Sequence, residues 1–389
     1  MDDLTRRSVL SAGAAAVWAW PRREAAVPRV DAAFRLAAVP AVDEPPLCAS
    51  GFIDHSPPLP YVHCPSLCER ADGGLVCAWY AGSYETARDV GVWLSTASSP
   101  AGDAGEPVAW APPRIVVDRP LATEQLDRFI DKIGNAVVFP DDTGRLWLVY
   151  VTIAIGGWSG STLNACSSTD GGATWTVSRR LATSPFFNIS ELVRAAPVRL
   201  DSGEIVLPVY HECMGKFPEV LWLRPEGDAL RVRKTRLAGG RSLLQPAIVP
   251  LDRQRCLAFL RDHSPARTLV VQRSDDTART WSSPAPTPLP NPDASVAAVR
   301  LSDGTVLVAC NLARQGRETL DLVQFDPVAD AWHRLATLDD EPGERFAYPY
   351  MAQDGRGRVH LVYTWKMRRI RHVVMNEAWL RAQGREPVA

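Results

Sequence analysis

The sequence lacks the features that would direct it to a membrane, a nucleic acid or a cofactor. No apolar run approaches the ~20 residues that a membrane-spanning helix needs, so no membrane span is expected. The 389 residues carry a formal net charge of −1 with no long block of one sign, so no nucleic-acid partner is expected. Lysine is scarce, occurring only at Lys132, Lys216, Lys234 and Lys366. Arginine is the general-purpose cation here, and no arginine is notable merely for being one. There is no G-x-S-x-G elbow, no H-E-x-x-H helix and no G-x-x-x-x-G-K-[ST] loop, which removes the common serine-hydrolase, zinc-protease and nucleotide-binding readings. No cofactor is expected. An Asp-rich turn at Asp141-Asp142 does not by itself supply the oxygens of a calcium cage.

Eight cysteines are present, without a paired C-x2-C set. Cys64-x3-Cys68 beside His63 sits within an apolar strand pattern, and most of the others are isolated in apolar strands, so buried thiols are expected and a metal site is not. At the N-terminus, Thr5-Arg6-Arg7-Ser8-Val9-Leu10 resembles the twin-arginine export consensus and precedes a short Ala-rich stretch. The expectation is a signal segment over 1–28, a linker over 29–46, and a periplasmic or secreted protein folded before export without a disulfide framework.

What the chain does have is a repeat. An apolar strand, a turn and a second strongly apolar strand recur six times, beginning at Pro65, Asn135, Ala196, Pro246, Ala297 and Pro349. The turn positions Gly73, Gly144, Gly203, Gln254, Gly304 and Gly355 step by 71, 59, 51, 50 and 51 residues. An all-strand repeat of this length signals blades around an axis. The fold class expected is all-β, a six-bladed β-propeller over 47–385, and a monomer.

In each repeat the first strand (A) runs to the turn and the second (B) returns. Starts of A strands and ends of B strands therefore meet on one face, here called upper. Blade 1 sends His63, Trp79, Tyr80 and the loop Ser83–Asp89 there, blade 2 Asn135 and Trp158, and blade 3 Glu191, Arg194, Tyr210, His211 and Glu212. Blade 4 adds Gln245, Arg261, Asp262 and His263; blade 5 adds Asn291, Asn311 and Arg317; blade 6 adds Tyr348, Trp365 and several arginines. Acids for proton transfer, arginines for an anion and rings for stacking are what a carbohydrate site needs.

Ser168-Thr169-Asp170-Gly171-Gly172-Ala173-Thr174-Trp175 fits S-x-D-x-G-x-T-W, the Asp-box hairpin turn, and Ser274–Trp281 is a second copy with Ala278 in place of Gly. Trp175 and Trp281 lie 106 residues apart, two blades, so the turn keeps step with the repeat. With these turns in a six-fold β array, the chain resembles the sialidase (neuraminidase) superfamily, in its Asp-box-repeat branch, from about Phe52 to Leu380. The resemblance implies a glycan substrate and a tyrosine nucleophile at Tyr348. It implies arginines for the substrate carboxylate at Arg261 and Arg317, and an acid-base carboxylate at Glu85 with Asp89 close behind. His63 stands where the family has its first arginine, and Gln245 where it has the glutamate that assists the tyrosine, a part that would fall to Glu212. Substrate contacts are expected from His63, Asn135, Arg194, Tyr210, Gln245, Arg261, Asn311 and Arg317. The function implied is an exo-acting, retaining sialidase-like hydrolase. A uronate lyase using His63 with Tyr348 or Tyr210, and a non-catalytic glycan-binding propeller, are the alternatives.

Overall fold

The computed structural model describes residues 32–37, 44–98, 105–185 and 188–388. The segment at 1–28, expected from its sequence to be an export signal, lies outside them. The body of the chain is a six-bladed β-propeller made of six antiparallel sheets.

Strands A to D of blade 1 are Tyr61–Glu69, Leu75–Gly82, Gly91–Ala97 and Arg114–Val117. Blade 2 is Lys132–Pro140, Leu146–Ile153, Ser161–Ser168 and Arg179–Arg180. Blade 3 has an interrupted A strand (Glu191–Val193 and Val198–Arg199), then Ile205–His211, Phe217–Glu226 and Ala229–Arg236. Blade 4 is Leu243–Pro250, Cys256–Asp262, Thr268–Ser274 and Ala285–Pro290, and blade 5 is Ala297–Arg300, Val306–Cys310, Thr319–Asp326 and Ala331–Asp340. Blade 6 takes Phe346–Gln353, Val359–Trp365 and Arg369–Met375 from the C-terminal part of the chain. Its outermost strand is Cys48–Ile53, paired from Cys48 with Met375 to Ile53 with Ile370. This closure joins the two ends of the propeller through main-chain hydrogen bonds.

B strands are sandwiched between neighbouring blades and so read as unbroken apolar runs. Every residue of Leu75–Gly82 and of Leu146–Ile153 is buried. Trp79, Trp147 and Trp222 are among the largest fully buried side chains. Burying each such side chain contributes roughly 1.5–3 kcal/mol or more, which fixes the blades against each other. Six of the eight cysteines are buried thiols, in strands of blades 1, 2, 4 and 5, and all eight are free.

Four of the six A–B turns follow the sequence pattern closely: Gly73, Gly144, Gly203 and Gly304 all have φ between 80° and 88°, where an L side chain is strained. In blade 4, where Gln254 stands, the Asp252 carboxylate accepts from the amides of Gln254 and Arg255 and holds the turn instead. In blade 6 the left-handed residue is Gly357, at φ 77°, two positions after the glycine picked from the sequence. The amide of Gly357 donates to Asp354 O as that of Gly144 does to Asp141 O, so Gly357 is the true equivalent. Asp141 itself accepts from the Thr143 and Arg145 amides, the Thr143 hydroxyl and Trp147 Nε1, making it a turn cap.

Two boundaries differ from expectation. Part of the segment read as linker is docked: Phe34 is fully buried and bridges to Leu200, the Arg35 amide donates to Arg199 O, and Arg35 pairs with Asp142 at 2.5 Å. At the other end, Glu386–Pro387 adds a short strand to the outer edge of blade 5, beyond the expected limit at 385.

Candidate active site

The A strands are regular at their lower ends and broken at their upper ends. Pairing slips between His63 and Ser66, Ile133 and Ala136, Leu244 and Ala247, and Ala347 and Tyr350. At three of these bulges a non-glycine residue is left-handed: Cys64 at φ 54°, Gln245 at 50° and Tyr348 at 55°. Each is followed by a proline, which already disfavours right-handed helical backbone at the residue before it. A left-handed backbone costs such a residue on the order of 1–3 kcal/mol, and bulges re-aim side chains. Strain repeated on one ring of the propeller marks where geometry is held for a purpose.

The bulges bring together a continuous hydrogen-bonded network. The Tyr348 phenol lies 3.4 Å from Arg261 Nη1, which also donates to Gln245 Oε1 at 3.3 Å. Because guanidinium only donates, this fixes the Gln245 amide so that its Nε2 donates to the Tyr210 hydroxyl, at 3.1 Å. Asn135 Nδ2 lies 3.2 Å from the same hydroxyl. Burial, with the Glu212 charge second, raises the Tyr210 pKa far above that of a free phenol, so Tyr210 stays neutral.

Tyr348 sits in a cationic surround. The guanidinium carbons of Arg317 and Arg194 lie 5.3 Å and 5.4 Å from its ring centre. Arg261 donates to Asp293 at 2.5 Å. Burial disfavours the Arg261 charge, yet Tyr348 and Asp293 together carry its pKa above the ordinary value. Burial alone would raise the Asp293 pKa, but Arg261 and then His263 hold it below the usual carboxylate range. Arg267 reaches the same carboxylate at 3.2 Å, and Arg317 Nη2 donates to Asp293 O at 2.7 Å. The His63 ring meets Tyr348 edge-on with centroids 4.5 Å apart. Burial, reinforced by Arg317, Arg194 and Arg345, drives the His63 pKa well down, so this imidazole is neutral.

The geometry sorts the expected residues. Tyr348, Arg261, Gln245, Tyr210, Asn135 and His63 belong to one cluster, and Arg317 faces it. Gln245 is buried, with its amide shared between Arg261 and Tyr210, and so positions the network. Arg194, only 2% exposed, donates to the carbonyls of Pro65, Tyr348 and Pro349 and clamps two bulges. Asn311, fully buried, donates to Thr319 O and Phe346 O and ties blade 5 to blade 6 just before Tyr348.

The acids divide similarly. The Asp89 carboxylate is capped by the Ser83 amide and hydroxyl, these hydrogen bonds lower its pKa, and it closes the loop. The Glu212 carboxylate pairs with Lys216 at 3.0 Å, and its charge is felt by Tyr210. Glu85 is exposed, and its charge is felt by the buried phenols of Tyr61 and Tyr80, which lie 3.5 Å apart beside His63. The site is therefore polarised, with cations from blades 4 to 6 on one side and Glu85 of blade 1 on the other.

Sequence reasoning missed Asp293 and Arg345. Asp293 was within reach, two residues after Asn291 in the loop that opens blade 5; Asn291 turns out to cap that loop through the Ala294 amide. A separate cavity of about 350 Å³ lies at the lower mouth, lined by Arg35, Cys68, Pro140, Arg199, Tyr350 and Asp354 among others, away from Tyr348 Oη and Arg261.

Residues 73–361 match the BNR repeat-like domain family. Among solved structures, the chain is similar to the Hadza microbial sialidase Hz136 (15% identity, covering 85% of this chain and 69% of that one, TM-score 0.68). It is similar to a protein of unknown function from Dyadobacter fermentans (14%, 84% and 98%, TM-score 0.66). It is also similar to the intramolecular trans-sialidase from Ruminococcus gnavus, solved with oseltamivir carboxylate (12%, 86% and 98%, TM-score 0.64). No curated protein matches the chain significantly in sequence. At these identities the structural likeness speaks for the fold.

Proposed function

The chain belongs to the BNR repeat-like domain family of the sialidase superfamily, and from that premise we propose that it is a retaining exo-glycosidase removing a terminal acidic sugar, a sialic acid or a related ulosonic acid, from glycans. The observation that carries this reading is Tyr348. Its phenol is held by a strained bulge at the centre of the upper face, 3.4 Å from the Arg261 guanidinium and between two further arginines.

A phenol with an ordinary pKa near ~10 needs a base or a positive surround to act as a nucleophile. Gln245 supplies no base, so the arginines carry that task by stabilising the phenolate. Tyr348 Oη attacks the anomeric carbon as the bond to the leaving oxygen breaks, and Glu85 delivers a proton to that oxygen. Water then cleaves the glycosyl-tyrosine bond with Glu85 as base. Arg317, Arg261 and Arg345 offer the sugar carboxylate a charge-assisted anchor. Tyr348→Phe is expected to lower kcat by at least about a thousandfold, in the range lost with a covalent nucleophile, while thermal unfolding is unchanged. Full activity in that variant would end this mechanism.

One observation favours a second reading, a uronate lyase. His63 packs on Tyr348, and its buried Nδ1 has no hydrogen-bond partner. In a lyase this pair would take the proton beside a carboxylate and return one to the glycosidic oxygen as its C–O bond breaks, leaving a double bond in the product, and Tyr348→Phe and His63→Gln would be equally damaging.

A further inference from the structure

Blade 3 carries a polar cluster beside the central network. Glu191 opens its A strand and is paired in register with His211 at the end of its B strand, and Glu219 enters from the C strand. One ligand atom from each of the three, two carboxylate oxygens and an imidazole nitrogen, lie within 4.8 Å of one another. Tyr210 reaches into the central network, and by strand alternation its neighbour His211 faces the other way, so the two clusters share a strand but not a face.

Three further observations bear on what this cluster can hold. Glu191 is 2% exposed and its Oε2 meets no donor group; burial, with Glu219 second, raises its pKa, so a cation binding there displaces a proton. His211 Nε2 lies 2.7 Å from Cys213 O. A carbonyl only accepts, so Nε2 carries the proton and Nδ1 presents its lone pair. That is how metal-binding imidazoles are held, with the second nitrogen donating to a carbonyl, and stacking on Phe217 at 4.5 Å fixes the ring plane. Finally, Lys234 Nζ already bridges the two carboxylates, bonding Glu191 Oε1 and lying 3.4 Å from Glu219 Oε2. The position thus favours a cation, and Lys234, on the outer strand with its side chain 23% exposed, lies within reach of solvent.

We propose that Glu191, His211 and Glu219 form a binding site for a divalent cation of the zinc type, for which Lys234 competes. Two carboxylates neutralise one divalent charge, and an imidazole selects borderline transition metals over calcium or magnesium. Three protein ligands leave a fourth position for water. The ion would tie the A, B and C strands of blade 3 together at the same end as Tyr210.

The test is calorimetric titration of the full, tag-free, chelator-treated chain with Zn²⁺ near neutral pH, and Co²⁺ titration followed by absorption. The expected result is one equivalent bound, weakened about tenfold or more in His211→Ala and in Glu219→Gln, and tightened in Lys234→Met, which removes the competing ammonium. The Co²⁺ complex should show ligand-field bands without thiolate charge transfer. Equal affinity in wild type and His211→Ala, a thiolate band, or no saturable binding in both wild type and Lys234→Met would overturn the proposal.

Discussion

The two ends of the same six inner strands behave as different materials. At the lower end, turns repeat from blade to blade, glycines take the left-handed positions, and aspartates such as Asp141 and Asp354 close the turns with their own side chains. At the upper end the strands bulge, the left-handed residues are Cys64, Gln245 and Tyr348, and polar groups bond across blades. The lower end is what folds the propeller, and the upper end holds a geometry that the propeller must stabilise. Substitutions should therefore separate: upper ones change chemistry with little change in stability, and lower ones the reverse.

The largest separation is expected within the blade 1 loop, after that of Tyr348→Phe. Glu85→Gln should lower kcat by about a hundredfold or more on substrates with poor leaving groups, the usual scale of general-acid catalysis, and far less on aryl glycosides. Asp89→Asn should show no such leaving-group dependence, because Asp89 closes the loop. If both variants respond alike to the leaving group, the assignment of the acid is wrong.

Next in size is an effect of pH on stability at the lower end. In blade 6 a buried chain runs from Trp110 Nε1 to His372 Nδ1 (3.4 Å), from His372 Nε2 to His360 Nδ1 (3.0 Å) and from His360 Nε2 to Asp354 (3.3 Å). Since indole only donates, both imidazoles must be neutral with the proton on Nε2. Burial lowers both pKa values, for His372 with His360 as a further cause, and for His360 against the opposing pull of Asp354. The unfolded imidazoles therefore take up protons that the folded ones refuse. Stability should be full above the ordinary value of 6.5 and fall below it, by up to about 1.4 kcal/mol per pH unit for each histidine. Melting curves between pH 5 and 8 would show this, and a His360→Gln/His372→Gln double variant should flatten the acid limb. An unchanged acid limb would contradict it.

The smallest effect sharpens the repeat itself. Gly357→Ala, at φ 77°, should cost about 1 kcal/mol, whereas Gly355→Ala, whose added Cβ would meet Glu69 only at 3.5 Å, should be near neutral. Activity should be unaffected in both. Denaturant midpoints decide it, and equal costs would undo the placement of the turn.

How much of this was legible in the sequence follows from the same division. The lower ends are locally encoded, so the turn spacing and apolar strands revealed six blades, missing only that Gly357 and not Gly355 is the left-handed residue. The upper ends are not local. Sequence could place Tyr348, Arg261, Gln245, Tyr210 and Arg317 on one rim, but not say which polar atoms are already occupied. The carbonyls that Arg194 clamps, those of Pro65 and Tyr348, are 129 and 154 residues away and invisible to local patterns. Asp293 escaped because its importance comes from Arg261, His263 and Arg267 converging on it, which no spacing announces.

The central claim is that the upper mouth performs hydrolysis through Tyr348. The most direct test is a time course of the purified chain on sialosides, ulosonic acid glycosides and uronate polysaccharides, reading released reducing sugar and the ultraviolet absorbance of an unsaturated uronate together. The account predicts release of an acidic sugar with retained anomeric configuration, no rise in absorbance, and loss of release in Tyr348→Phe. Rising absorbance, or glycan binding without release, would contradict it.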